Sequence, residues 1–171
     1  PLSMPLGNQT LRVEFDGDAT YAASFVNTTL TVNPVRVQGQ VTLEGVANPT
    51  GVPVRFTLQQ DNRQETVNLT LGAGGSYAFD TTLTGAAIVR VSTPSGVWLC
   101  AQSSATLSDL VTLNFALKAG DANQDGTIDD ADLLLVLFAF GSSDPQADMN
   151  RDGIVDDADL LTVLFNFGSG C

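Results

Sequence analysis

Hydrophobic and polar residues alternate with a period of two along most of the first 118 positions of this chain. Leu11-Arg12-Val13-Glu14-Phe15 alternates strictly, a turn follows at Asp16-Gly17-Asp18, and Thr28-Thr29-Leu30-Thr31-Val32 is rich in β-branched residues. Two strands alone are marginal in water, so residues 1–33 read as an incomplete hairpin behind an extended lead-in (1–9) whose two prolines forbid a helix. Asn33-Pro34 marks a boundary, and the alternation then restarts. Strands are predicted at Val37–Leu43, Gly51–Leu58, Thr66–Leu71, Ser76–Phe79, Ala87–Val91, Val97–Leu99 and Leu110–Phe115, with turn signals such as Gly72-Ala73-Gly74-Gly75. That spacing predicts an antiparallel β-sandwich over residues 34–118.

From residue 119 to 171 the period becomes helical. Leu133, Val136, Leu137 and Phe140 recur at i, i+3, i+4, i+7, as do Leu160, Val163, Leu164 and Phe167, predicting helices at 132–141 and 159–168 capped by Gly141 and Gly168. These two stripes suffice for the helices to pack on each other. Leu134, Leu135 and Phe138, with Leu161 and Phe165, lie off the stripes. A module of about 50 residues has too little volume to bury both faces of both helices. The surplus face therefore reads as an interface, or else as a surface packed on the sandwich.

Each helix is preceded by a loop that returns after 27 residues, Asp121 to Asp132 and Asp148 to Asp159. Both copies carry oxygen-bearing side chains at positions 1, 3, 5, 9 and 12 and Gly at position 6. A hard cation such as Ca²⁺ wants about 6–8 oxygens, position 7 supplies a carbonyl, and Gly takes the sharp turn. The candidate ligands are Asp121, Asn123, Asp125, Thr127 (carbonyl), Asp129 and Asp132, then Asp148, Asn150, Asp152, Ile154 (carbonyl), Asp156 and Asp159. The expected cofactor is calcium, two ions.

An ordinary EF-hand has a helix entering its loop. The segments before these loops, Ala116–Gly120 and Ser142–Ala147, are too short and too polar for one, and position 12 is Asp rather than Glu. A paired loop-helix unit of this kind, opening on Gly-Asp-x-Asn-x-Asp-Gly, resembles the dockerin module of cellulosomes and related cell-surface systems, over about residues 119–171. The resemblance implies a non-catalytic docking role on a cohesin module, in either of two orientations because the repeats match. The family's recognition positions fall on Asp130, Ala131, Leu137 and Phe138, and on Asp157, Ala158, Leu164 and Phe165. These differ from the Ser-Thr pair of the best-known dockerins. The expected partner surface is Asp130, Ala131, Leu134, Leu135 and Phe138 with Asp157, Ala158, Leu161 and Phe165.

Two weaker resemblances concern the β region. Val13–Ser24 followed by Thr29-Leu30-Thr31-Val32 resembles the final strands of bacterial Ig-like repeats. The order Gly-x-Val-x-Leu, a Pro-Val strand, Gly-Gly-Ser-Tyr-x-Phe and Val-Arg-Val resembles the carboxypeptidase-regulatory-like (transthyretin-like) sandwich, whose members are mostly spacers. The expected fold is thus an all-β sandwich, Ig-like or transthyretin-like, followed by a small all-α calcium-binding dockerin-like module.

Charge adds to this picture. The net charge is −12, and residues 120–171 hold eleven of the 19 acids against Arg151 alone. Two calcium ions would cancel four of that module's ten net negative charges. No basic patch exists to neutralise phosphates, which argues against nucleic acid. The apolar run Leu133–Phe140 is far short of the ~18–20 residues of a membrane span. No signal peptide precedes Pro1, so the chain reads as a mature form or a fragment. Position-12 Asp and the missing entry helices favour an extracellular, higher-calcium setting.

Cys100 and Cys171 are the only cysteines. In a secreted chain an even pair suggests a disulfide, with Cys171 returning near Leu117–Ala119. The other reading is a buried free Cys100 beside Trp98 and Leu99. Sequons occur at Asn8, Asn27 and Asn68. With no His, Ser and Thr have no activating base, and no acid pair outside the loops suits glycoside hydrolysis. Two functions remain: a docking module on a sandwich spacer, or a protomer of an extracellular fibre that adds N-terminal strands to a neighbouring copy.

Overall fold

The computed structural model of the chain describes residues 7–94 and 96–171. The lead-in expected over residues 1–9 lies outside these except for its last three residues, which are strand. Strand β1 (Gly7–Phe15) pairs antiparallel with β2 (Ser24–Val32) in a separate two-stranded sheet. The register places Leu11, Val13 and Phe15 on one face with Val26 and Leu30, because directly opposed residues share a face. The other face carries Asn8, Arg12, Glu14 and Asn27, with the Arg12 guanidinium 4.3 Å over the Phe25 ring. The ribbon is therefore two-faced, and its apolar face is open, with Val13, Phe15, Val26 and Leu30 all exposed.

The remaining strands build two facing sheets. In the first, β3 (Val35–Leu43) is central. It pairs antiparallel with β6 (Ser76–Thr81) on one side. On the other it pairs parallel with β9 (Leu110–Thr112) and then with β10 (Phe115–Leu117). The second sheet runs in the order β5 (Arg63–Thr70), β4 (Pro53–Gln60), β7 (Gly85–Ser92), β8 (Ala101–Leu107), antiparallel throughout. Alternate residues of β3, β4, β6 and β7 face inward, and the Phe56 ring lies 4.4 Å from Tyr77, 5.1 Å from Phe79 and 6.0 Å from Phe115. Burial raises the Tyr77 phenol well above its ordinary pKa, and its hydroxyl donates to the Leu113 carbonyl at 2.7 Å.

Four features of the β region depart from the sequence reading. The sandwich is not purely antiparallel, since β9 and β10 run parallel to β3. The strand expected at Leu110–Phe115 is broken at Leu113-Asn114, where the chain crosses Gly39. A Cβ on Gly39 would lie 1.8 Å from the Leu113 carbonyl oxygen, so only glycine permits the crossing. Val97–Leu99 is no strand but a buried link, with one bridge from Trp98 to Ala119. Strand β8, Ala-Gln-Ser-Ser-Ala-Thr-Leu, goes unpredicted because its inward positions are mostly small.

Two helices follow, α1 (Asp130–Phe138) and α2 (Asp157–Asn166). They start two residues before the expected 132 and 159 and end before Gly141 and Gly168. The caps are Ala139 and Phe167, with the two glycines at positive φ beyond them. No helix enters either loop. The result is mostly β-sandwich with two short C-terminal helices.

Candidate functional site

The two loops fold alike because each short polar side chain captures a backbone N–H a few residues on. At position 3, Asn123 accepts from Asp125 N–H (2.8 Å) and Asn150 from Asp152 N–H (2.9 Å). At position 5, Asp125 accepts from Thr127 N–H (2.9 Å) and Asp152 from Ile154 N–H (3.0 Å). Position 4 takes left-handed φ, 61° at Gln124 and 62° at Arg151, and the position-6 glycines φ of 91° and 97°. At position 9, Asp129 and Asp156 cap their helices, each accepting from the N–H two residues on at 2.9 Å.

The acids at positions 1 and 12 are buried. Asp132 and Asp159 are 0% exposed, and their oxygens accept only from backbone N–H groups, Asn123 and Asp129 for the first, Met149, Asn150 and Asp156 for the second. Ion pairs among the described residues are Arg12–Glu14 and Arg36–Asp80, both outside this module. Asp121 accepts from Gly126 N–H through Oδ2 (3.2 Å), while its buried Oδ1 has no hydrogen-bond partner among the described residues. Burial, then the charges of Asp132 and Asp125, push the Asp121 carboxyl above its ordinary range. Hydrogen bonds from the Thr127 hydroxyl and N–H hold Asp125 below it. A buried carboxylate without a counter-charge is costly, and an orphaned acid oxygen among other oxygens suits a hard cation. Among the described residues no three Asp, Glu, Cys or His side chains stand together closely enough to hold an ion by themselves. The expected ligand sets also draw on Asn amides and the Thr127 and Ile154 carbonyls.

The loops also tie the repeats together. At position 8, Ile128 donates to the Ser169 carbonyl and accepts from Gly168 N–H (both 2.8 Å). Val155 does the same with Ser142 and Gly141 (both 2.8 Å). Each loop thus pairs with the end of the other repeat's helix, which makes the arrangement pseudo-two-fold.

The interior differs from the expected pair of stripes. Only Val136 and Val163 are fully buried, with Leu133 and Leu160 partly so, while Leu137, Phe140, Leu164 and Phe167 are exposed. The reason is that Ile128, Val155, Ala122, Ala147 and Met149 from the loops fill the space those residues were expected to take. Asp130, Ala131, Leu134, Leu135 and Phe138 are all exposed, as are Asp157, Ala158, Leu161 and Phe165; Phe138 stands 84% and Phe165 82% exposed. The surplus apolar face is therefore larger than expected, and it does not pack on the sandwich.

The sandwich is met elsewhere. Asn166 donates from Nδ2 to Glu44 Oε2 (2.6 Å) and to the Ala119 carbonyl (2.9 Å), and Ala119 N–H donates to the same Glu44 oxygen (2.9 Å). Trp98 Nε1 donates to the Glu44 carbonyl (3.0 Å), and the Arg151 guanidinium lies 4.6 Å over the Trp98 ring. Sequence reasoning missed Glu44 and Asn166. The available signal was Asn166 itself, a polar residue where the first repeat has Ala139. Cys100 and Cys171 are bonded, with Cα atoms 5.7 Å apart, and Lys118 Nζ reaches Ser169 Oγ at 3.0 Å. Asn8, Asn27 and Asn68 all lie exposed on strands. No described helix is long and apolar enough to cross a membrane.

Neither a scan of protein-family models nor a search of curated proteins finds a match to this chain. Solved structures do match in fold. One is a type II cohesin–X–dockerin complex from Acetivibrio cellulolyticus carrying a C-terminal interface mutant (TM-score 0.60, 22% identity, 80% of this chain and 97% of that one). Another is the same kind of complex with an N-terminal interface mutant (TM-score 0.62, 22% identity, the same coverage). A DUF3823 family protein from Bacteroides ovatus aligns with 52% of this chain at TM-score 0.40 and 14% identity.

Proposed function

We propose that this chain is a non-catalytic extracellular attachment module, a β-sandwich spacer carrying a dockerin-like pair of calcium loops that docks on a cohesin-like module of another protein. The observation that carries this reading is the pseudo-two-fold display of Phe138 and Phe165, each more than four-fifths exposed and each leaving the end of a loop-helix repeat. Buried aromatic anchors supply most of the energy in such contacts. The fold likeness to cohesin–X–dockerin complexes supports the reading, since a match over 80% of the chain exceeds the sandwich, which spans about half of it.

Calcium fits the donor set. Asp121, Asn123, Asp125, Asp129 and Asp132, with the Thr127 carbonyl, would hold one ion. Asp148, Asn150, Asp152, Asp156 and Asp159, with the Ile154 carbonyl, would hold the second. The ions would neutralise acids that have no cationic partner among the described residues and would order the helices that follow. The Cys100–Cys171 bond suits an oxidising, extracellular setting.

The hairpin favours a second reading, a protomer of an extracellular fibre. β1–β2 is a lone two-stranded sheet with an open apolar face, and such a ribbon gains from strands added by another copy. Electron microscopy of the purified chain with calcium separates the two, because filaments support the protomer. Binding to an array of cohesin modules that is lost in chelator supports docking. Calcium uptake measured by titration calorimetry tests what both readings share, and its absence would overturn both.

A further inference from the structure

The outer face of the second sheet carries open depressions. Three depressions join end to end on it. The first (about 430 Å³) shares Gln59 and Ile88 with the second (about 410 Å³), which shares Arg55, Arg90 and Ser92 with a third of about 260 Å³ beside the first loop. From Gln59 to Arg55 the trough follows four residues of β4, or about 13 Å.

Its chemistry is unlike the rest of this acidic chain. The register puts Arg55 opposite Asn68 and Ser92, Thr57 opposite Arg90, and Gln59 opposite Gln64 and Ile88. All of these share one face, with Gln102 alongside. No Asp or Glu stands among them; carboxylates occur only at the ends, Asp61 at one and Asp121 and Asp125 at the other. Arg55 and Arg90 are diagonal cross-strand neighbours, within reach of each other as long side chains. Neither has a carboxylate within ion-pair distance among the described residues. Each is oriented by a neutral acceptor instead, Arg55 Nε by Asn68 Oδ1 (3.2 Å) and Arg90 by Cys171 Sγ (3.1 Å). Thr93, lining the near end, has a buried hydroxyl without a hydrogen-bond partner among the described residues.

We propose that this trough binds an acidic oligosaccharide of the uronic-acid class. The two guanidiniums present the forked donors that match carboxylates. Gln59, Gln64, Gln102 and Asn68 carry amides that both donate and accept, as sugar hydroxyls require. In the middle depression Ile88 is the one large apolar side chain among the described residues, which offers a peptide little to seat its side chains on. Among the described residues the first two depressions carry no aromatic ring, and Trp98, which lines the third, is buried with Arg151 over its ring, so charge sets the preference over stacking on a neutral sugar. The site stands apart from the helical face and does not depend on the docking reading.

The test is calorimetry on the full chain in calcium buffer with a hexasaccharide containing glucuronic acid, its carboxyl-reduced counterpart and hexaglutamate. Binding of the acidic sugar alone is expected, weakened at least tenfold in Arg55→Gln/Arg90→Gln, with calcium uptake and thermal midpoint unchanged. No binding of the acidic sugar, equal binding of hexaglutamate, or unchanged binding by the double variant overturns the proposal. Loss of calcium affinity in that variant also overturns it, assigning the arginines to the field of the Asp121 loop instead.

Discussion

Asn166 donates to Glu44 at 2.6 Å from a helix position that Ala139 occupies in the first repeat. The near-identical repeats thus part at the residue that fastens one of them to the sandwich. Both hydrogens of the Asn166 amide are directed at oxygens, those of Glu44 and Ala119. Asn166→Ala should cost about 1–3 kcal/mol, since it leaves the buried Ala119 carbonyl without this donor. Asn166→Asp should cost more, because it buries a carboxylate and sets it against Glu44 and the Ala119 carbonyl oxygen. Thermal or denaturant unfolding checks this order, and an Asp variant no worse than Ala would refute the contact.

On the calcium reading, chelation should unfold residues 120–171 and spare the sandwich. Eight loop carboxylates repel one another, whereas the sandwich core of Phe56, Tyr77, Phe79 and Phe115 contains no acid. Far-ultraviolet circular dichroism in chelator should lose its helical component while near-ultraviolet aromatic signals persist.

The Cys100–Cys171 bond closes a loop of 71 residues. On the chain-entropy estimate, opening it destabilises the fold by roughly 4 kcal/mol. Cys100→Ser/Cys171→Ser should therefore lower the midpoint of unfolding even with calcium saturating. Intact-mass analysis should find no alkylatable thiol in the native chain, and two would contradict the bond.

Phe138→Ala and Phe165→Ala should leave unfolding almost unchanged, since both rings are already in water. On the docking reading either change alone weakens cohesin binding little and the pair abolishes it, at about 2 kcal/mol or more per lost anchor. On the fibre reading one substitution alone blocks assembly, because each copy sits in a single fixed contact. A double variant that unfolds the module would place both residues in its core.

Gly39→Ala should be among the worst single changes in the sandwich. The added methyl meets the Leu113 carbonyl that Tyr77 also grips, and small-to-large strain of this kind costs about 1–3 kcal/mol or more.

Local structure was legible where one residue type can do one job. The turns of the Asp-x-Asn-x-Asp-Gly loops, the alternation in β3, β4 and β7, and the exposure of the off-stripe Phe138 and Phe165 are of this kind. Relationships set by tertiary context were not. β8 carries Ser and Ala where a strand signal needs bulk, since at a sheet edge little has to be filled. The parallel return of β9 and β10 depends on a crossing at Gly39 that no local pattern announces. Helical periodicity misjudged Leu137, Phe140, Leu164 and Phe167, because it counts only the helix's own residues while Ile128, Val155 and Met149 arrive from the loops.

The parallel pairing of β3 with β9 and β10 decides how the sandwich would carry a mechanical load. A pull between the chain ahead of Val35 and a partner held on the helices enters through β3 and leaves through β10. The two strands run side by side, with Val41 opposite Phe115 and Leu43 opposite Leu117. Their loaded ends lie in opposite directions along a common axis, so the force shears both ladders at once instead of peeling hydrogen bonds apart in turn. The bond from Cys100 to Cys171 returns the last residue to the sandwich, so tension on either helix reaches it by two covalent routes.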